Sequence, residues 1–179
     1  MLLRRDCMKR DKTLTKKLTL CGVMAALALA LLYIGGITVL DLSVVLVCSM
    51  ITMFIMIETG ERMTWTYLAV AVFLAFLILP SKMYAIEYTL FGALYPILKA
   101  YIERLRGPIV WMLKLLSLNA MLAVCVLTAK FVFALGDEYF PLGVITFVLG
   151  TLFFVLYDRV LTMCVTFYIV KLRNKLKLK

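Results

Sequence analysis

Glu87 sits in the stretch KMYAIEYTL, three residues after Tyr84 and directly before Tyr88. On a helix, Tyr84 and Glu87 are i,i+3 neighbours and Tyr84 and Tyr88 are i,i+4 neighbours, so all three can share a face. Lys130 lies at a comparable depth in a later apolar run, and Asp41 opens an earlier one. A carboxylate inside a membrane span is expensive, so it marks a structural pair or a functional site. Two readings stay open. In one, Glu87 and Lys130 form a structural ion pair and the tyrosines belong to an interfacial aromatic belt. In the other, Asp41, Tyr84, Glu87, Tyr88 and Lys130 line a small-molecule pocket with aromatic walls and a few orienting polar groups.

Other chemistry has little to work with. The chain contains no histidine, which removes Ser–His and Cys–His nucleophile pairs and His-ligated metal sites. The cysteines at 7, 21, 48, 125 and 164 share no CxxC spacing, and four of them lie in apolar runs, where they act as small hydrophobes. No phosphate-cradling loop, catalytic triad or metal-ligand cluster is visible. The sequence reads as a non-enzyme with no cofactor and no metal site.

The elements that must carry these residues are legible from composition. Of 179 residues, 65% are hydrophobic and only 17% charged, and the mean hydropathy is +1.04. A soluble domain is usually nearer half apolar. Here the excess falls in long runs, which marks membrane-spanning helices. Six can be drawn, over 18–36, 41–58, 64–80, 84–102, 109–135 and 141–170. The expected fold is all-α: one domain of six transmembrane helices (18–170) between a basic N-terminal segment (1–17) and a basic tail (171–179).

The net charge of +10 is not a nucleic-acid signature, because it gathers at the two ends. Arg4, Arg5, Lys9, Arg10, Lys12, Lys16 and Lys17 precede the first span, and Lys171, Arg173, Lys175, Lys177 and Lys179 follow the last. Such tails are retained in the cytoplasm and attract anionic lipid. Arg62, Arg104 and Arg106 mark the second and fourth loops as cytoplasmic too. Asp41, Lys82, Asp137 and Glu138 then lie at the outer face of the cell membrane.

Within the inner half, Glu58, Glu61, Lys99, Glu103, Lys114, Asp158 and Arg159 offer helix-tying ion pairs, with Lys114 a partner for Asp158. Asn119 is placed to hydrogen-bond across helices. Pro96, in FGALYPILKAYIERL, frees a carbonyl and predicts a kink.

The first span, KKLTLCGVMAALALALLY, repeats small residues every four positions at Gly22, Ala26 and Ala30. A small-xxx-small stripe lets another helix approach closely, either within the bundle or from a partner. The basic start, the Ala26-x-x-x-Ala30 motif and the six-span topology resemble the S components of energy-coupling-factor (ECF) transporters. ALYPILKAYIERL also looks like segments of related uncharacterised Firmicutes membrane proteins. The resemblance implies a substrate-binding subunit that captures a vitamin-like small molecule at the outer face. It also implies that the Gly22–Ala26–Ala30 face docks on a transmembrane coupling subunit, whose ATPase subunits supply the energy. The alternative is a non-transporting six-helix scaffold, such as an envelope-assembly subunit.

Overall fold

A computed structural model describes residues 2–38, 41–105, 109–131 and 143–173, with side chains over 14–38, 41–105, 109–130 and 148–171. These residues are helical, with no strand among them. The elements are α1 (Leu2–Gly35), α2 (Asp41–Thr59), α3 (Glu61–Ile78), α4 (Lys82–Glu87), α5 (Tyr95–Ile102), α6 (Ile109–Phe131) and α7 (Gly143–Phe167). A π-helical segment, Tyr88–Leu94, joins α4 to α5 in one rod, and a second, Tyr168–Arg173, continues α7. Among the described residues, five helices are long and apolar enough to cross a membrane: Leu14–Gly35, Asp41–Thr59, Glu61–Ile78, Ile109–Lys130 and Val148–Lys171. The chain is a multi-pass membrane protein.

The helix boundaries have local causes. α1 starts well before the apolar run, because residues 2–17 contain neither Gly nor Pro and are rich in Leu, Lys, Arg and Met, which favour helix. α2 and α3 are separated by Gly60 alone, whose φ of +88° is cheap only for glycine. α3 stops ahead of Pro80: Leu79, the residue before it, is extended at φ −71° and ψ 135°. Lys82 then reaches back to cap the orphan carbonyls of Phe76 (2.5 Å) and Leu79 (3.2 Å).

α2 forms the centre, touching α1, α3, the first π segment, α5 and α7. Its inward face is built of Val45, Cys48 and Ile55 with the small polar residues Ser49, Thr52 and Thr59. Those hydroxyls are satisfied by carbonyls of their own helix, at Leu46, Cys48 and Ile55. They can therefore be buried without loss. Small side chains in turn let neighbouring helices come close.

The predicted kink at Pro96 takes the form of the π segment that precedes it. Proline has no N–H to give, which orphans the carbonyl of Gly92 in an α register or of Phe91 in a π register. Both are claimed by side chains from other helices. Thr52 on α2 shares its one hydroxyl proton between the Cys48 carbonyl of its own helix and the Gly92 carbonyl, each at 3.1 Å, and Tyr157 on α7 donates to that of Phe91 at 2.7 Å. A local backbone defect thus becomes the junction of three helices.

Candidate functional site

The residues with functional potential gather in three places: the Asp41 end of the bundle, the Gly60 end, and the outer surface of α1.

At the Asp41 end, the structure brings together three of the five candidate pocket residues. Tyr84 is 3% exposed and its hydroxyl donates to the Asp41 carbonyl at 3.3 Å. It fits there because α1 ends in two glycines. A Cβ on Gly35 would stand 2.6 Å from the Tyr84 hydroxyl, and one on Gly36 would stand 3.3 Å from its ring. Glu87 is half-buried in the same region and close enough to Asp41 for their carboxylates to repel. Asp41 Oδ1 is buried with no hydrogen-bond partner among the described residues. Two near carboxylates, one carrying an unsatisfied oxygen, favour the approach of a hydrogen-bond donor or a positive group.

The other two candidates fall elsewhere. Tyr88 follows Tyr84 in α register, its N–H reaching the Tyr84 carbonyl, but it lies one turn deeper and is wholly buried. Its ring lies over Gly92, whose added Cβ would be 2.6 Å away, and its hydroxyl faces that of Tyr67 beside Thr52. Neither tyrosine hydroxyl has a hydrogen-bond partner among the described residues. Lys130 is exposed, and among the described residues no ion pair joins it to Glu87, as the structural-pair reading would require. Asp137 and Glu138 lie outside the described residues.

At the Gly60 end, Asp158 gathers three helices around one carboxylate. Its Oδ1 accepts from Tyr95 at 2.6 Å and is ion-paired with Lys99, while Oδ2 accepts from Lys114 at 3.2 Å. Lys99 is fully buried and also donates to the Asp158 carbonyl (2.8 Å) and to Thr162 (2.6 Å). Glu103, at the rim, takes Lys114 at 2.6 Å and Lys99 at 3.6 Å. Two lysines thus meet two carboxylates, and the buried charges are paired, as a low-dielectric interior demands. The Lys114–Asp158 partnership expected from the sequence is present. The sequence offers Lys99 as one of several inner-half charges and does not single out Tyr95, although their i,i+4 spacing in YPILK puts both on one face.

Nearby contacts extend this tie. Arg159, next to Asp158 but pointing away, lies 4.8 Å from the Trp111 ring centre. Thr151 donates to Asn119 at 2.9 Å, the interhelical bond expected for that asparagine. At the exposed edge, Glu61 pairs with Arg104 and accepts from Tyr101 at 3.1 Å.

The third place is α1. Gly22, Ala26 and Ala30 are all exposed, and nothing stands within 4 Å of a Cβ placed on Gly22. The face that packs on α2 and α3 is a different one, made of Cys21, Ala25, Ala28, Leu29 and Leu32. Among the described residues, α1 therefore carries two faces rich in small residues, one buried in the bundle and the other exposed. Val23, Leu27 and Ile34 flank the exposed one, each between 48% and 59% exposed.

No protein-family model matches the chain, and neither a curated protein nor a solved structure resembles it closely enough to count as a match.

Proposed function

We propose that this protein is the substrate-binding S component of an ECF-type importer. The observation that carries the proposal is the division of labour on α1. Among the described residues, internal packing uses Cys21, Ala25, Ala28 and Leu32 and leaves the Gly22–Ala26–Ala30 face exposed. In lipid, where apolar burial gives helices no reason to associate, close backbone approach through small residues is the main route to docking. An exposed face of this kind on the first helix suits a transmembrane coupling subunit.

In this reading the α4–π–α5 rod is a further crossing, which makes six, with both termini in the cytoplasm. Its backbone run from Lys82 to Ile102 is about 30 Å long, the thickness of the hydrocarbon core. The Asp41 end then faces outward, and Asp41, Tyr84 and Glu87 contribute to the capture of a small molecule. Energy comes from the ATPase subunits of the partner module. The Asp158 cluster ties the later helices on the cytoplasmic side.

The test is affinity purification of the tagged full chain from its native membranes in mild detergent. A coupling subunit and ATPase subunits should accompany it. Recovery with envelope-synthesis proteins instead would favour the scaffold, and recovery alone would remove the support for transport.

A further inference from the structure

A groove of about 570 Å³ runs between α2 and α7, with Met24 of α1 at its edge. Four methionines line it (Met24, Met50, Met53 and Met163), and apart from the Cys164 thiol and Tyr168 hydroxyl its lining is apolar. Several of these residues are left open: Met163 is 73% exposed and Phe167 53%. From Val47 to Ile57 along α2 the groove is about 15 Å deep, half of a hydrocarbon core of about 30 Å and so the depth of one leaflet. Thioether side chains bend easily and suit a flexible guest.

Charge identifies the guest's other end. At the Gly60 end of the groove, Lys171 rests 5.2 Å from the centre of the Phe167 ring, a groove residue. Lys17 reaches the Thr59 carbonyl at 3.1 Å, two residues beyond Ile57. The acid at this rim, Glu58, is hydrogen-bonded by the Tyr168 hydroxyl at 2.8 Å. An apolar slot one leaflet deep, opening beneath two lysines, matches a molecule with an acyl chain and an anionic head.

We infer that the groove holds one acyl chain of an anionic phospholipid, whose phosphate lies by Lys17 and Lys171. The assignment to the cytoplasmic leaflet rests on the orientation proposed above. The binding itself depends on neither transport nor a coupling subunit, so the two proposals fail separately.

Native mass spectrometry of the purified full chain tests it, using dioleoyl-phosphatidylglycerol against dioleoyl-phosphatidylcholine. The expected result is one phosphatidylglycerol retained per chain, preferred about tenfold over the zwitterionic lipid. Replacing both lysines (Lys17→Gln with Lys171→Gln) should abolish the preference. Met163→Trp, which fills the slot from an open position, should abolish retention without shifting the melting temperature, and Val47→Trp on the opposite wall should do the same. Equal retention of the two lipids by the unaltered chain would overturn the inference. So would unchanged phosphatidylglycerol binding in both tryptophan variants, or a dimer that those variants dissolve, which would make a second copy the occupant.

Discussion

Tyr157 on α7 donates its hydroxyl to the Phe91 carbonyl at 2.7 Å, at the place where Pro96 withholds a backbone N–H. The side chain replaces a missing rung of the helix ladder. Tyr157→Phe should therefore cost about 1 kcal/mol, the scale of an interhelical hydrogen bond in a membrane when one partner is left unsatisfied. Pro96→Ala returns the N–H, so the same substitution should cost less in that background. A double-mutant cycle on thermal or denaturant unfolding measures the difference. Equal costs in both backgrounds would contradict the replacement.

Asp158 holds two buried lysines together with Glu103. Removing it strands positive charge in the interior, which typically costs about 3–5 kcal/mol, more than most single substitutions. Asp158→Ala should lose most folded protein in detergent, and Lys99→Met should restore part of it by removing one stranded charge. Folded yield and melting temperature are the readouts. Tolerance of Asp158→Ala alone would show that Glu103 suffices.

Gly35→Ala should displace Tyr84, since the new methyl would stand 2.6 Å from its hydroxyl and 3.0 Å from Val44. Overpacking of this kind costs about 1–3 kcal/mol. Gly22→Ala, with nothing within 4 Å, should leave the melting temperature unchanged or slightly raised. The pair separates a glycine required by its neighbours from one that is free of them.

These cases show what the sequence makes legible. Helix positions follow from apolar run length, and Pro80 and Pro96 act where written because their effects are local. That Asn119 bonds across helices and that Lys114 pairs with Asp158 could be anticipated, since a polar group in lipid must find a partner. What escapes is rotation about a helix axis. Tyr88 keeps the α register to Tyr84, its N–H reaching the Tyr84 carbonyl, yet it lies wholly inside the bundle over Gly92, and no residue type announces how the rod is rotated. For the same reason the stripe at Gly22, Ala26 and Ala30 and its neighbour at Cys21, Ala25 and Ala28 are equally good candidates for burial on paper. Only packing chooses between them.

Reporter fusions test the crossing number. Fusions at residue 12 and after residue 171 should both report the cytoplasm, and a fusion at 137 should report the outside. A cytoplasmic start with an outward C-terminus would require an odd number of crossings and remove the α4–π–α5 rod from the membrane.

The central claim is that the exposed face of α1 is kept for a partner. Replacing Ala26 and Ala30 together with Leu adds bulk at two positions exposed among the described residues, yet where a docking backbone must approach. Such overpacking costs about 1–3 kcal/mol per site wherever the contact is made. The most direct measurement compares the melting temperature of the purified double variant with its co-purification of a coupling subunit. The account predicts an unchanged melting temperature and loss of the partner. A destabilised chain, or a partner retained at full yield, would contradict it.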